Sequence, residues 1–403
     1  MSEPGQTISR KLEHIRMVLE AGVESAESTL LDNVRIVHNP IPELDLDDVD
    51  TSIDFCGGKR RLRAPLMITG MTGGHPDVTL INKYLAEAAA RHGIAFGVGS
   101  QRAALEDPRV VESYRVAVEA RKKYGDLVIV ANLGAPQYAR AMGGGRYGLR
   151  QAIEAVDMVE ADALAIHLNP GQEAYQDEGD PYYAGFLEAL QEIIDGVSVP
   201  VIIKETGTGL SMEAVRTLRR MGVKCFDVSG LGGTNWIKVE VLRSKKKHGA
   251  PLKPAGPLAD YWGNPTAVAI VEARLAAPDA YIIASGGVRN GLDVAKSIAL
   301  GADIAGVALP ALRALLAGMI GDTGISSEIA DRGLARLDRL LASMIYQVKT
   351  ALFMTGSRRP RDLWTARISV YGRLREELET AGVDVYDYIY RGRVNGLLWR
   401  NRL

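Results

Sequence analysis

From about residue 65 the chain alternates between two kinds of segment. Short apolar runs, many of them β-branched, recur as PLMIT (65–69), IAFGV (94–98), LVIVAN (127–132), ALAIHL (163–168), VPVIIK (199–204), KCFDVS (224–229), AYIIAS (280–285) and DIAGVAL (303–309). Between them lie longer stretches whose apolar positions recur at helical spacing: INKYLAEAAARHG, PRVVESYRVAVEARKKYG, LRQAIEAVDMVEA, FLEALQEIIDG, SMEAVRTLRRMG, PTAVAIVEARLAA and GLDVAKSIALG. Several of these end in glycine, the usual helix stop. A strand that is apolar along its whole length is covered on both faces, as strands of parallel sheets are. Roughly eight βα repeats over about 250 residues predict an α/β fold, a (β/α)8 TIM barrel. The alternative is a doubly wound open sheet, but no G-x-G-x-x-G opens the first helix.

Three segments fall outside the repeats. Residues 1–64 read as a polar N-terminal arm with a first helix near KLEHIRMVLE. The barrel then spans 65–320, with a long insertion after the sixth strand at 235–265. Residues 321–403 read as C-terminal helices, LARLDRLLASMIYQVKTALF, and a charged tail packing on the barrel.

Composition narrows the class. The chain has 403 residues, 47% hydrophobic and 24% charged, enough to bury a large core. A net charge of −1 excludes a broad basic surface for nucleic acid. MSEPGQTISRKLEHI lacks the apolar centre of a signal peptide, and the most apolar window, ALPALRALLAGMI, carries Arg313. Cys56 and Cys225 form neither a disulfide framework nor a zinc spacing. The expectation is a cytoplasmic protein without membrane or nucleic-acid partners.

Chemistry in such barrels gathers where the strands end. The first strand ends in Thr69-Gly70-Met71-Thr72, the second in Gly99-Ser100-Gln101-Arg102 and the third in Asn132. The fourth gives His167, Asn169, Gln172 and Glu173, and the fifth ends in Lys204. The sixth gives Ser229-Gly230-Leu231-Gly232-Gly233-Thr234, the seventh Gly286-Gly287-Val288-Arg289 and the eighth Ala308-Leu309. Singly, each reads as a solvated strand end, His167 as a hydrogen-bonded structural histidine, and Lys245 to Lys247 as an exposed loop. Their convergence on one rim changes the reading.

SGLGGT and SGGVR are glycine turns that let backbone N–H groups approach an anion. With the helix start at Ala308-Leu309 they predict a phosphate pocket after strands seven and eight. Lys204, at the barrel mouth, can stabilise an anion formed during reaction. Arg10, Lys11 and Arg102 offer a second anion site, and His14 shares a helix face with Lys11. Glu173 beside a diphosphate suits Mg2+, which takes one carboxylate and substrate phosphates. No Ser-His-Asp pattern or HExxH occurs, so the residues alone leave the reaction open.

The motifs SRKLEHI (9–15), MITGMTGG (67–74), GSQRAAL (99–105), HLNPGQE (167–173), KETGTGLS (204–211), SGLGGTNW (229–236) and SGGVRNGLDVAKSIALGA (285–302) occur in this order over nearly the whole chain. Together they resemble the type 2 isopentenyl-diphosphate isomerases. The resemblance implies interconversion of isopentenyl and dimethylallyl diphosphate with reduced FMN, NADPH as reductant and Mg2+. It implies that Thr69 to Thr72, Ser100, Asn132, Lys204, Ser229, Thr234, Gly286, Gly287, Arg289, Ala308 and Leu309 hold flavin. Arg10, Lys11, Ser100, Gln101, Arg102, His167 and Asn169 would hold substrate, Gln172 would lie near its carbons and Glu173 would bind Mg2+. His14, Trp236 and Glu240 would complete the catalytic group, Trp236 shielding a carbocation-like state. The resemblance also implies a homotetramer or homo-octamer. The alternatives are an FMN-dependent oxidoreductase of the hydroxyacid-oxidase type and a non-catalytic barrel binding a phosphorylated metabolite.

Overall fold

The structure, a computed structural model, describes residues 13–15, 17–19, 22–139, 147–317 and 327–392. Eight parallel strands close into a barrel: β1 Leu66–Ile68, β2 Ala95–Gly97, β3 Val128–Gly134, β4 Ala163–His167, β5 Val201–Lys204, β6 Cys225–Asp227, β7 Tyr281–Ala284 and β8 Ile304–Val307. Each coincides with one of the apolar runs, β3 continuing through Leu133 and Gly134. An outer helix follows each strand: α1 Pro76–His92, α2 Glu112–Tyr124, α3 Leu149–Met158, α4 Phe186–Gly196, α5 Met212–Arg220, α6 Thr266–Ala276, α7 Gly291–Ala299 and α8 Leu309–Leu316. The predicted (β/α)8 architecture is the observed one.

Successive strand side chains point to opposite faces, and this decides what fills the barrel. In β3, Ile129, Ala131 and Leu133 join the core under the helices, whereas Val128 and Val130 face the axis. The next axial position is Asn132. In β4 the axial series is Ala163, Ala165, then His167; in β5 it is Ile202, then Lys204. These three strands therefore carry apolar residues at their N-terminal ends and a polar one at their C-terminal ends, as does β6 with Cys225 and then Asp227. The lower barrel packs as core, and the polar ends form a ring at the top.

The bottom is sealed by the chain before β1. Ile53–Phe55 and Arg60–Leu62 pair as an antiparallel hairpin. Ile53, Phe55 and Leu62 join the axial core, with Phe55 edge-on to Tyr281 at 5.6 Å between ring centres. The arm further contributes Val34–Ile36, antiparallel to Ile368–Val370. The 27-residue helix Ser327–Phe353 packs on α1, α7 and α8.

The insertion after β6 contains the helix Trp236–His248, whose N-cap Asn235 accepts from the Lys238 N–H at 3.2 Å. Lys245 to Lys247 were expected in a loop and instead form its exposed last turn. Cations at that end complement the helix dipole, and Gly249 stops the helix at φ +82°.

Candidate active site

Two adjoining cavities open at the C-terminal strand ends. One runs from Thr69–Thr72 past Ser229 and Thr234 to the Gly286–Arg289 turn and the Ala308-Leu309 helix start. The other is lined by Ser100, Arg102, Asn132, His167, Asn169, Gln172 and Glu173. They share His14, Gly70, Met71, Lys204, Thr206 and Trp236 as a common wall.

The first cavity presents backbone N–H donors. Gly286 and Gly287 have φ of +96° and +71°, a region that L side chains avoid. A Cβ at either would collide with the carbonyl of Gly230 or Gly232. Among the described residues, neither glycine N–H donates to a protein acceptor. Ser229 is also left-handed, at φ +40°. The α8 N-terminus has no side-chain cap, leaving its end open to an anion. Arg289 lines the same cavity and pairs with Glu24. Arg313 lies 3.1 Å from the other Glu24 oxygen. Partial burial pushes the Glu24 carboxyl up, but Arg289 and Arg313 outweigh it and hold it below its ordinary range. Ile15, Val18 and Leu312 supply apolar walls. An anionic group attached to a flat ring fits this combination, as FMN requires.

Lys204 stands on the shared wall. Its Nζ donates to Asp227 Oδ2 at 2.9 Å and to the Glu205 carbonyl at 3.0 Å. Ser285 donates to Asp227 Oδ1 at 2.6 Å. The following turn is organised by the Glu205 carboxylate, which accepts from the N–H groups of Thr206, Gly207 and Gly209 at 2.6, 2.7 and 3.1 Å. Burial pushes the Glu205 carboxyl up, opposed by the hydrogen bonds from Thr208 and its neighbours.

The second cavity is a hydrogen-bonded polar shell. His167 Nδ1 lies 2.8 Å from Asn132 Oδ1, and Asn132 Nδ2 donates to the Val98 carbonyl at 3.0 Å. Asn169 Nδ2 donates to Glu173 at 2.9 Å and to Gln172 at 3.2 Å, while its Oδ1 accepts from Tyr183 at 3.0 Å. The second Glu173 oxygen accepts from the Asp180 N–H at 2.8 Å. Gln172 Nε2 donates to Glu240 Oε1 at 2.9 Å. His14 Nε2 lies 3.0 Å from that oxygen, and its ring stands edge-on to Trp236 at 5.2 Å. Burial alone would raise the Glu240 carboxyl, yet His14, Arg243 and Gln172 bring it down to about 2. Arg102 sits at the rim, 2.8 Å from Glu106. Among the described residues no three His, Cys, Asp or Glu side chains gather as a metal cage. Glu173 alone would need substrate oxygens to complete a Mg2+ shell.

The structure thus brings together the cofactor and substrate candidates from all eight strand ends, with one correction. Gln101 is fully buried and braces the backbone rather than lining a cavity. Its Nε2 donates to the Ala155 carbonyl at 2.8 Å and its Oε1 accepts from the Asn132 N–H at 2.9 Å. Arg10 and Lys11 lie outside the described residues. Sequence reasoning missed Asp227, Tyr183 and Arg243. Asp227 carried a signal: an acid inside the otherwise apolar KCFDVS run, paired in register with Lys204.

Comparison with known proteins follows the same lines. The family model described as FMN-dependent dehydrogenase matches residues 183–368, which contain β5 to β8 and the glycine turn. A mandelate oxidase variant bound to (S)-mandelic acid superposes with a TM-score of 0.58 at 17% identity, covering 92% of this chain and 98% of that one. Mandelate oxidase with 3,3-difluoro-2-hydroxy-3-phenylpropionic acid gives 0.56 at 17% identity, with the same coverage. These likenesses show the barrel fold, and the family model marks residues 183–368 as similar to the FMN-dependent dehydrogenases. The protein named isopentenyl-diphosphate delta-isomerase in Aeropyrum pernix is 57% identical over 397 residues, 98% of this chain and 99% of that protein. Proteins of the same name in Metallosphaera sedula and Methanopyrus kandleri are 44% and 45% identical, over 96% and 93% of this chain and 99% and 95% of theirs. The chain belongs to the isopentenyl-diphosphate delta-isomerase family, in its type 2, flavin-dependent form.

Proposed function

We propose that the protein interconverts isopentenyl and dimethylallyl diphosphate, with FMN in the first cavity and substrate in the second. The observation that carries this reading is the shared wall. Lys204, His14 and Trp236 border both cavities, so a flat ring in one would lie beside a ligand in the other.

When bound and reduced by NADPH, FMN would supply the acid–base chemistry that moves a proton between substrate carbons. Gly286, Gly287, Arg289 and the α8 start would hold its phosphate. Lys204 would place positive charge against its ring. Arg102, His167 and Asn169 would grip the diphosphate, joined by Arg10 and Lys11 from the arm. Glu173, oriented by Asn169 and the Asp180 N–H, would share Mg2+ with the phosphate oxygens. Glu240, held at a pKa of about 2, stays anionic and acts as a fixed negative charge near the developing cation rather than as a proton store. Gln172 is held between that charge and Asn169, and Trp236 lines the same cavity, where it would help exclude water. The proposal includes a cytoplasmic homotetramer or homo-octamer; among the described residues no helix is long and apolar enough to cross a membrane.

The test is turnover of isopentenyl diphosphate with FMN, NADPH and Mg2+, each omitted in turn. The proposal expects dimethylallyl diphosphate only in the complete mixture. Oxidation of a 2-hydroxy acid with hydrogen peroxide release, and no isomerisation, would instead support the oxidase alternative.

A further inference from the structure

Arg243 lies outside every residue assigned above to cofactor, substrate or metal, yet it is among the most enclosed cations near the site. Its side chain is 6% exposed and that of Glu240 is 0% exposed. Its three donor nitrogens reach three carboxylates on three segments. Nε contacts Glu240 at 2.8 Å on its own helix, Nη2 contacts Glu178 at 2.6 Å in the loop after β4, and Nη1 contacts Glu13 at 3.3 Å on the arm. A planar guanidinium can make this fork; an ammonium on a flexible stem cannot hold three divergent partners in fixed geometry.

The arm residue next to Glu13 is His14, which reaches Glu240 itself at 3.0 Å. Adjacent arm residues therefore dock on the two halves of one ion pair, Glu13 on Arg243 and His14 on Glu240. Arg10 and Lys11 precede them in sequence by three residues each and lie outside the described residues. We infer that Arg243 is a positioning residue that couples docking of the N-terminal arm to the orientation of Glu240 and, through it, of Gln172. Arg243 thereby serves two ends at once, seating the arm through Glu13 and holding Glu240 where it meets Gln172. The inference deepens the isomerase reading and rests on it for its kinetic part; its structural part is read without activity.

The experiment compares wild-type FMN-loaded enzyme with R243Q, R243K and E13Q. It uses hydrogen–deuterium exchange of peptides covering residues 13–19 and steady-state kinetics with isopentenyl diphosphate. R243Q is expected to speed exchange in 13–19 at least tenfold and to lower kcat at least thirtyfold, with FMN affinity within twofold of wild type. R243K keeps a charge for Glu240 but loses the fork; it is expected to recover most of kcat while 13–19 stays fast-exchanging and KM stays raised. E13Q, which leaves the buried pair intact, is expected to raise exchange and KM with a much smaller loss of kcat, and it decides the matter if R243Q does not fold. Unchanged exchange in 13–19 for E13Q, or for a folded R243Q, overturns the inference. So does a loss of kcat in R243Q matched by an equal loss of FMN affinity. A wild-type enzyme without isomerase activity would refute the proposed function, while the exchange comparison would still decide whether Arg243 docks the arm.

Discussion

Lys204 and Asp227 face each other in register across β5 and β6, with Nζ 2.9 Å from Oδ2, at the level where the apolar barrel core ends. Lys204 is 8% exposed and Asp227 1%. Removing one member of such a pair strands the other in a dry site, at a cost of about 3–5 kcal/mol. Lys204→Met is therefore expected to lower the calorimetric midpoint by several degrees and to lose flavin. Adding Asp227→Asn should restore most of the stability without restoring flavin. Recovery of both in the double variant would remove Lys204 from the flavin site.

The Gly286-Gly287 turn makes a backbone prediction. Gly287→Ala puts a Cβ against the Gly232 carbonyl and Thr29 in a left-handed conformation. Left-handed backbone costs a non-glycine residue about 1–2 kcal/mol before any collision. FMN affinity, followed by quenching of flavin fluorescence, is expected to fall at least tenfold. Retained affinity would place the phosphate elsewhere.

Glu173→Gln keeps the shape but halves what the side chain can offer a cation. The Mg2+ concentration for half-maximal activity is expected to rise at least tenfold, with FMN affinity unchanged. An unchanged Mg2+ requirement would count against Glu173 as its ligand.

The barrel was legible because parallel strands are covered on both faces and so appear as unbroken apolar runs, each with a polar group where it emerges. His167 and Lys204 stand out for that reason. Contacts made across the fold were harder to read. Gln101 sits among genuine cavity residues in GSQR, and nothing in the sequence shows that its amide is spent on Asn132 and Ala155 backbone. Arg243 lies in RSKKKHG, where surface lysines disguise one buried cation; its spacing of three from Glu240 is visible only once a helix is assumed. The hairpin that plugs the barrel floor, with Arg60 and Arg61 in its second strand, reads as part of a polar arm.

Glu240 also sets a pH dependence. Its carboxyl falls from an ordinary 4.5 to about 2 on folding, facing His14, Arg243 and Gln172. A depressed carboxyl stabilises the fold above its unfolded pKa, and that stability is lost as pH falls toward the folded value. Glu240→Gln should therefore lie below wild type in melting temperature near neutrality, with the gap narrowing between about pH 4.5 and pH 2. A constant gap over that range would show that Glu240 is not held as an anion.

The most direct test of the shared wall between cofactor and substrate follows hydrogen itself. Isopentenyl diphosphate is incubated in D2O with the enzyme, FMN, NADPH and Mg2+ and observed by proton NMR. The predicted result is dimethylallyl diphosphate carrying deuterium at the newly formed methyl carbon, with none formed when FMN is withheld. Undeuterated substrate recovered unchanged from an enzyme saturated with reduced FMN and Mg2+ would contradict the account.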